Sequence, residues 1–259
     1  FMVVLLLALE NSIIFLPSRA LWTTPAKEGV PLDDVWLRTS DGVKLHSWLL
    51  HGQRPAGTPA RKMLFLHGNA GNIADRLENG ILLTRQGLDV LLLEYRGYGL
   101  SEGSPTEEGV YRDADAAYDY LLTRPGTSAK NLVLFGRSLG SGPAVDLAAR
   151  RPCGALVIES PFCSTRALAR DIPVYLPFSP FIPDRFRSLE KIKQVKCPIL
   201  VIHGSADEVI PYSHGKRLFE AAPEPKRFHE LTGAHHNDWY QRDPETYFRV
   251  WREFLAGSY

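Results

Sequence analysis

A serine framed by two glycines, Gly136-Arg137-Ser138-Leu139-Gly140, follows the apolar run Leu132–Phe135 and precedes Pro143–Arg151, which reads as a helix. G-x-S-x-G between a strand and a helix makes a sharp turn that lifts the hydroxyl clear of the sheet edge. Glycine suits the flanking positions because a side chain there would meet the neighbouring strand and helix, and because strained backbone costs it little. Such a hydroxyl attacks a carbonyl when an imidazole takes its proton, and the imidazole needs a carboxylate to hold its tautomer and offset its charge. Three further polar clusters follow apolar runs: His67-Gly68-Asn69-Ala70-Gly71-Asn72 after Met63–Leu66, His203-Gly204-Ser205-Ala206-Asp207-Glu208 after Ile199–Ile202, and Gly233-Ala234-His235-His236-Asn237-Asp238 after Lys226–Leu231. Open parallel sheets bind ligands beyond the carboxyl ends of their strands. All four clusters are therefore expected on one rim. Ser138 is the candidate nucleophile, Asp207 the acid, and His236 the base, with His235 as its rival. The amides of Leu139 and Asn69 are the candidate donors to a developing oxyanion. Arg137 is expected in a structural ion pair, His67 and His203 as hydrogen-bonding supports, and Asp238 as a supporting or surface carboxylate.

The elements that must position these residues are legible as two grammars. Asp34–Thr39 and Val43–Leu50 alternate around the turn Asp41-Gly42, as a half-exposed hairpin does. Beyond the Pro/Gly loop Gly52–Arg61, continuous apolar runs take over: Met63–Leu66, Val90–Leu93, Leu132–Phe135, Ala155–Ile158 and Ile199–Ile202, with Lys226–Leu231 as the last strand. Helical patterns separate them at Ile73–Gln86, Glu107–Leu122, Leu139–Arg150 and His214–Ala221, and Glu245–Leu255 closes the chain. Strands without polar alternation are covered on both faces, so the fold class is α/β with a mostly parallel sheet between helices. The interval 161–196 breaks this rhythm with five prolines among Phe162, Tyr175, Leu176, Phe178 and Phe181. It is too rich in proline for one helix and is read as a cap insertion over the site.

The totals fit one such domain. The chain has 259 residues, 44% hydrophobic and 23% charged, with a formal net charge of +1 and no basic block that would point to nucleic acid. Cys153, Cys163 and Cys197 have no metal-ligand spacing; they read as buried thiols, with a Cys153–Cys163 bridge open in an oxidising compartment. Phe1–Leu9 is wholly apolar, but nine helical residues cover about 14 Å of a hydrocarbon core about 30 Å thick. Residues 1–30 are accordingly read as an apolar anchor or interfacial segment plus linker, and 31–259 as the catalytic domain. Two rival chemistries are weak. Gly136-x-x-x-Gly140-x-Gly142 with Tyr212-x-x-x-Lys216 has the spacing of an NADP-dependent short-chain oxidoreductase, but the glycines fall after too many strands. No H-E-x-x-H or paired-cysteine spacing marks a metal hydrolase.

Taken together, HGNAGN, EYRGYGLSEG, FGRSLG, HGSADEVIP and GAHHNDW resemble the serine hydrolases of the α/β-hydrolase superfamily, in the small-cap, membrane-anchored branch also called serine aminopeptidase-like. The likeness covers about residues 30–259 and implies an α/β-hydrolase fold with eight strands. It also implies a triad in the chain order Ser138, Asp207, His236. The branch usually has glycine where His235 stands, and the match to G-x-x-H-N-D puts the base at His236; an aspartate is usual where Glu94 stands. Members hydrolyse carboxylic esters, monoacylglycerols or protein-bound acyl thioesters, so a serine esterase is expected, with thioesterase or peptidase chemistry on the same triad as the alternative. Phe162, Tyr175, Leu176, Phe178 and Trp239 are expected to bind substrate. No cofactor or metal is implied. The expected partners are a small-molecule or lipid acyl ester and a membrane surface. The N-terminal segment would hold a cytoplasmic or periplasmic body at that surface.

Overall fold

The computed structural model describes residues 14–54 and 61–259, so the reading of Phe1–Leu9 as an anchor lies outside the described residues. In chain order the strands are β1 (Leu16–Pro17), β2 (Leu32–Arg38), β3 (Lys44–Leu50), β4 (Arg61–Leu66), β5 (Ala70–Gly71), β6 (Leu88–Leu93), β7 (Leu132–Arg137), β8 (Ala155–Glu159), β9 (Ile199–Gly204) and β10 (Lys226–Leu231). The α-helices are α1 (Leu77–Thr84), α2 (Glu107–Thr123), α3 (Ser141–Arg150), α4 (Thr165–Asp171), α5 (Ser188–Lys191), α6 (Tyr212–Ala221), α7 (Trp239–Arg242) and α8 (Pro244–Leu255). Eight strands form one sheet in the order β10-β9-β8-β7-β4-β6-β3-β2. It is parallel from β10 to β6, while β3 runs antiparallel to both β6 and β2.

Alternate residues of each central strand enter different cores. Leu64, Leu66, Leu132 and Leu134 face α2, α3 and α6, whereas Met63, Phe65, Val133 and Phe135 face α1 and α8. Burial on both faces is why these strands read as unbroken apolar runs. The expected helix Ile73–Gln86 is instead a 3₁₀ turn, Ile73–Arg76, running into α1. Asn72 is the reason: its side chain accepts from the Ala74 amide (2.9 Å), and Asp75 returns to the Asn72 amide (2.9 Å), capping a tighter first turn.

Residues 14–31 lie against the body. Leu16–Pro17 pair with Ala70–Gly71, Phe15 is buried edge-on to Phe186, and Arg19 donates to the Ser101 carbonyl (2.5 Å). Among the described residues no helix is long and apolar enough to cross a membrane. The fold brings a different cysteine pair together from the Cys153–Cys163 bridge that the sequence left open. Cys153 precedes β8 and Cys163 follows it, so the length of a strand separates them; Cys153 Sγ lies 3.2 Å from Cys197 Sγ, and all three are free thiols.

The cap interval holds α4, a 3₁₀ turn over Leu176–Phe181, and α5. Its fastening to the body runs through a buried histidine. His214, on α6, accepts the Cys163 amide proton at Nδ1 (3.1 Å) and points Nε2 at Asp171 Oδ2 (3.1 Å), which Arg217 also holds at 3.3 Å. An acceptor at Nδ1 and a proton at Nε2 describe the neutral ring. Burial is the main cause pushing His214 down to about 4, with Arg217 adding to it against the pull of Asp171. A histidine whose folded pKa lies below its unfolded value of about 6.5 loses stability as pH falls between the two, because the unfolded chain binds the extra proton. Thermal unfolding should therefore show stability falling from pH 6.5 to about 4 by up to roughly 3 kcal/mol. His214→Gln should flatten that slope; an unchanged slope would assign it to other groups.

Candidate active site

Strand β7 delivers Ser138 at its carboxyl end in a conformation that a serine rarely holds. Its φ is +53°, and a 3₁₀ turn, Ser138–Gly140, leads at once into α3. Such strain persists only where the surroundings over-determine it. Here a Cβ on Gly140 would lie 2.0 Å from the Leu66 carbonyl oxygen, and one on Gly136 would lie 2.6 Å from Ala144 Cβ. Both glycines are there to let strand, turn and helix close up. Ser141 Oγ donates to the Ser138 carbonyl (2.7 Å) and locks the turn.

The strand ends β9 and β10 bring the other two groups. His236 Nε2 lies 3.1 Å from Ser138 Oγ, and its Nδ1 lies 2.8 and 3.0 Å from the two oxygens of Asp207. A carboxylate only accepts, so Nδ1 carries the proton and Nε2 is left to accept from the serine hydroxyl. Asp207 is fully buried and also receives the amides of Val209 (3.0 Å) and Ile210 (2.8 Å). Burial by itself would raise its pKa, but the nearby His203 (3.4 Å), the hydrogen-bonded His236 and the backbone amide of Ile210 hold it well below the usual carboxylate range. His235 points elsewhere: it is exposed and pairs with Glu208 (3.1 Å), so the geometry joins His236, not its neighbour, to Ser138.

Around this line the loop of His67 to Asn72 is tied down by two buried tyrosines. Tyr95 donates to the His67 carbonyl (3.1 Å) and Tyr98 to that of Asn69 (2.6 Å). Gly68 passes close enough that a Cβ there would lie 3.4 Å from Ser138 Cβ, and Asn69 and Leu139 border the same cavity as the serine. His203 Nε2 donates to the Ile210 carbonyl (3.0 Å), and Asp238 receives the His235 amide (2.6 Å) and Arg242 (3.3 Å). Glu94 accepts from the Ile73 amide (3.2 Å) and stands against Gly99, so it braces the fold. Tyr212 donates to Glu230 (2.6 Å) and Lys216 lies over Phe228, which places the Y-x-x-x-K pair away from the glycine turn.

The cavity above Ser138 measures about 570 Å³. Of the side chains the sequence suggests for substrate, Phe162, Tyr175 and Phe178 line it and Leu176 does not. The turn is 3₁₀, with a period of three, so Tyr175, Phe178 and Phe181 border the cavity at its mouth, each still partly open to solvent, while the equally exposed Leu176 lies outside the lining. Trp239 opens α7; its role as a pocket residue lies outside the described side chains. Sequence reasoning missed Thr165, Leu168, Ala169 and Ile172, whose i, i+3, i+4, i+7 spacing is the stripe of one helix face, and Ile14, Val209 and Ile210.

Arg137 connects the nucleophile strand to the histidine loop. Its Nη2 donates to the His236 carbonyl (2.8 Å) and to Asn237 Oδ1 (2.9 Å), and its Nε to Glu159 Oε1 (3.1 Å). Tyr247 donates to the other Glu159 oxygen (2.7 Å). Burial pushes Glu159 up to about 7 against the pull of Arg137 and Tyr247.

A family model described as serine aminopeptidase, S33, matches residues 57–183. An uncharacterised protein of Mycobacterium tuberculosis is 38% identical over 223 residues, covering 86% of this chain and 79% of its own. The α/β-hydrolase domain-containing protein WAV2 of Arabidopsis thaliana is 33% identical over 280 residues, covering 98% and 89%. The human α/β-hydrolase domain-containing protein 17C is 36% identical over 227 residues, covering 87% and 67%. Among solved structures, an esterase of Pyrococcus furiosus superposes with a TM-score of 0.76 at 23% identity, over 94% of this chain and 97% of that one.

Removing one partner of a buried pair strands the other charge. Arg137→Met should therefore cost roughly 3–5 kcal/mol in urea denaturation. Adding Glu159→Gln to that variant should recover part of the loss. A cost below about 1 kcal/mol would put the pair among contacts worth no more than one neutral hydrogen bond.

Proposed function

Because the chain belongs to the α/β-hydrolase superfamily, with α/β-hydrolase domain-containing proteins as its relatives, we propose that this hydrolase cleaves carboxylic esters of apolar acids through an acyl-serine intermediate. The reading is carried by one observation, the line Asp207–His236–Ser138 ending on the floor of an apolar cavity. Ser138 Oγ attacks the ester carbonyl as His236 Nε2 takes its proton, and Asp207 steadies the imidazolium without itself being protonated. The Leu139 and Asn69 amides receive the oxyanion as it forms. His236 then returns the proton to the leaving alcohol, and the same nitrogen activates the water that releases the acid. Protonation of the leaving group, an alcohol, thiol or amine, by His236 decides whether esters, thioesters or amides turn over.

Acid-side selectivity follows from the cavity. Its walls above Ser138 come from Phe162, Leu168, Ile172, Tyr175 and Phe178, and about 570 Å³ is far more than an acetyl group fills. Each methylene buried there contributes about 0.8 kcal/mol, roughly fourfold in kcat/KM.

Ser138→Ala and His236→Ala should each lower kcat on p-nitrophenyl esters by about 10⁴-fold or more while thermal unfolding shows a folded protein. His235→Ala should turn over like the parent; a collapse of activity in that variant alone would move the base. The kcat/KM should climb steeply from the C2 to the C8 ester, and a preference for acetyl would contradict the acyl reading. Running the C8 thioester and anilide beside the ester identifies the leaving group.

A further inference from the structure

The mouth of the cavity is rimmed by large apolar side chains that a monomeric protein in water would ordinarily cover. Val174, Leu176 and Phe181 on the cap are 68%, 53% and 53% exposed, and Val209, which lines the cavity from the loop after β9, is 44% exposed. The cap backbone holds them there: the 3₁₀ turn carries Pro177 and Pro180, and its inner period of three leaves Leu176 no place in the cavity. The chain itself enters at this rim. Ile14 lines the cavity and Phe15 is buried against Phe186 of the cap. In the sequence the wholly apolar run Phe1–Leu9 stands five positions before Ile14.

Beside the rim lies an excess of positive charge. Helix α4 turns Thr165, Leu168, Ala169 and Ile172 to the cavity and Arg166 and Arg170 to a second, polar pocket of about 210 Å³. That pocket is bordered by four arginines, Arg166, Arg170, Arg187 and Arg217, against two carboxylates, Asp184 and Glu190. Arg187 is engaged by Asp184 and Glu190, and Arg217 by Asp171. Arg166 donates only to the Ile182 carbonyl (2.9 Å), Arg170 is exposed, and among the described residues neither meets a carboxylate.

The geometry points to the cap as a docking surface for an anionic lipid bilayer: the ridge from Val174 to Phe181 enters the acyl region and Arg166 and Arg170 meet the headgroups. Exposed apolar side chains partition into the interface, and cations beside them are drawn to the negative surface. A lipid surface is favoured over a protein partner because exposed apolar side chains stand beside cations that meet no carboxylate among the described residues, and the sequence before Ile14 carries a wholly apolar run, Phe1–Leu9. Docked in this way, the mouth above Ser138 opens toward acyl chains, not water. The docking itself requires no catalysis.

Co-sedimentation of the whole chain, with Ser138→Ala to spare the lipid, tests this on vesicles of phosphatidylcholine alone and of phosphatidylcholine mixed with phosphatidylserine. The protein should partition more strongly onto the mixed vesicles. Leu176→Asp, at an exposed position outside the cavity lining, should lower partitioning about tenfold on both compositions. Arg170→Glu should lower it about fivefold or more on the mixed vesicles only. Equal partitioning of the three proteins, or no preference for phosphatidylserine, overturns the proposal. So does a self-associated form that Leu176→Asp dissolves without any vesicle binding, which would assign the ridge to a second copy. None of these readings depends on turnover, so a failed esterase assay and a failed docking assay remain separate results.

Discussion

The guanidinium of Arg137 is the interaction on which the site depends. It sits at the last residue of β7, one position before Ser138, is buried, and reaches β8 through Glu159 and the histidine loop through the His236 carbonyl. Three segments far apart in the chain are therefore referenced to one planar group, whose fork of donors fits a carboxylate and a carbonyl at once. Asp207 and Glu208 hold the histidine from the β9 side, and Arg137 ties the same loop to the strand that carries the serine. Tyr247, from α8, closes the same network from below and so couples the terminal helix to the active rim.

The parallel sheet supplies the other half of that geometry. Five of its strands run in one direction side by side with β10, so the residues after β4, β7, β9 and β10 emerge on a common edge. The apolar runs are buried on both faces and the polar clusters begin where that burial ends. Carboxylate, imidazole and hydroxyl meet because the strands that carry them end at similar heights. The strained φ of Ser138 is tolerated because the Leu66 carbonyl and α3 leave the turn no other conformation.

The cap is built by a different logic. It has little core of its own and is held to the body by a few polar anchors, Asp171 to His214 and Arg217, and Glu107 to the amide of Phe186, while Thr165 ties the cap to itself through the carbonyl of Pro183. Phe186 is the apolar pin, buried among Phe15, Tyr111 and Phe162. Prolines keep the excursion from forming one continuous helix, so in its 3₁₀ turn aromatic side chains border the cavity at a spacing of three while Leu176 stays outside. A cap held this way leaves an apolar mouth open and keeps it in shape.

What the sequence determined by itself was whatever depends on local pattern. The five central strands were legible because burial on two faces leaves no polar residue in runs such as Leu64–Leu66 or Val133–Phe135, β2 and β3 because their residues alternate around Asp41-Gly42, and the serine turn because only glycine fits at 136 and 140. Clustering of Ser138, Asp207 and His236 on one rim followed from strand direction. The tertiary structure decided everything that depends on a partner distant in sequence. It chose His236 over His235, since two adjacent residues in one loop point apart and only one reaches the serine. It turned Leu176 out of the cavity, because a 3₁₀ period of three replaced the looser reading of a proline-rich stretch. Cys153 was set against Cys197 because a whole strand separates it from Cys163. The pairing of Arg137 with Glu159, and of Asp171 with His214, left no trace in local spacing, because each joins elements that meet only when the sheet and cap assemble.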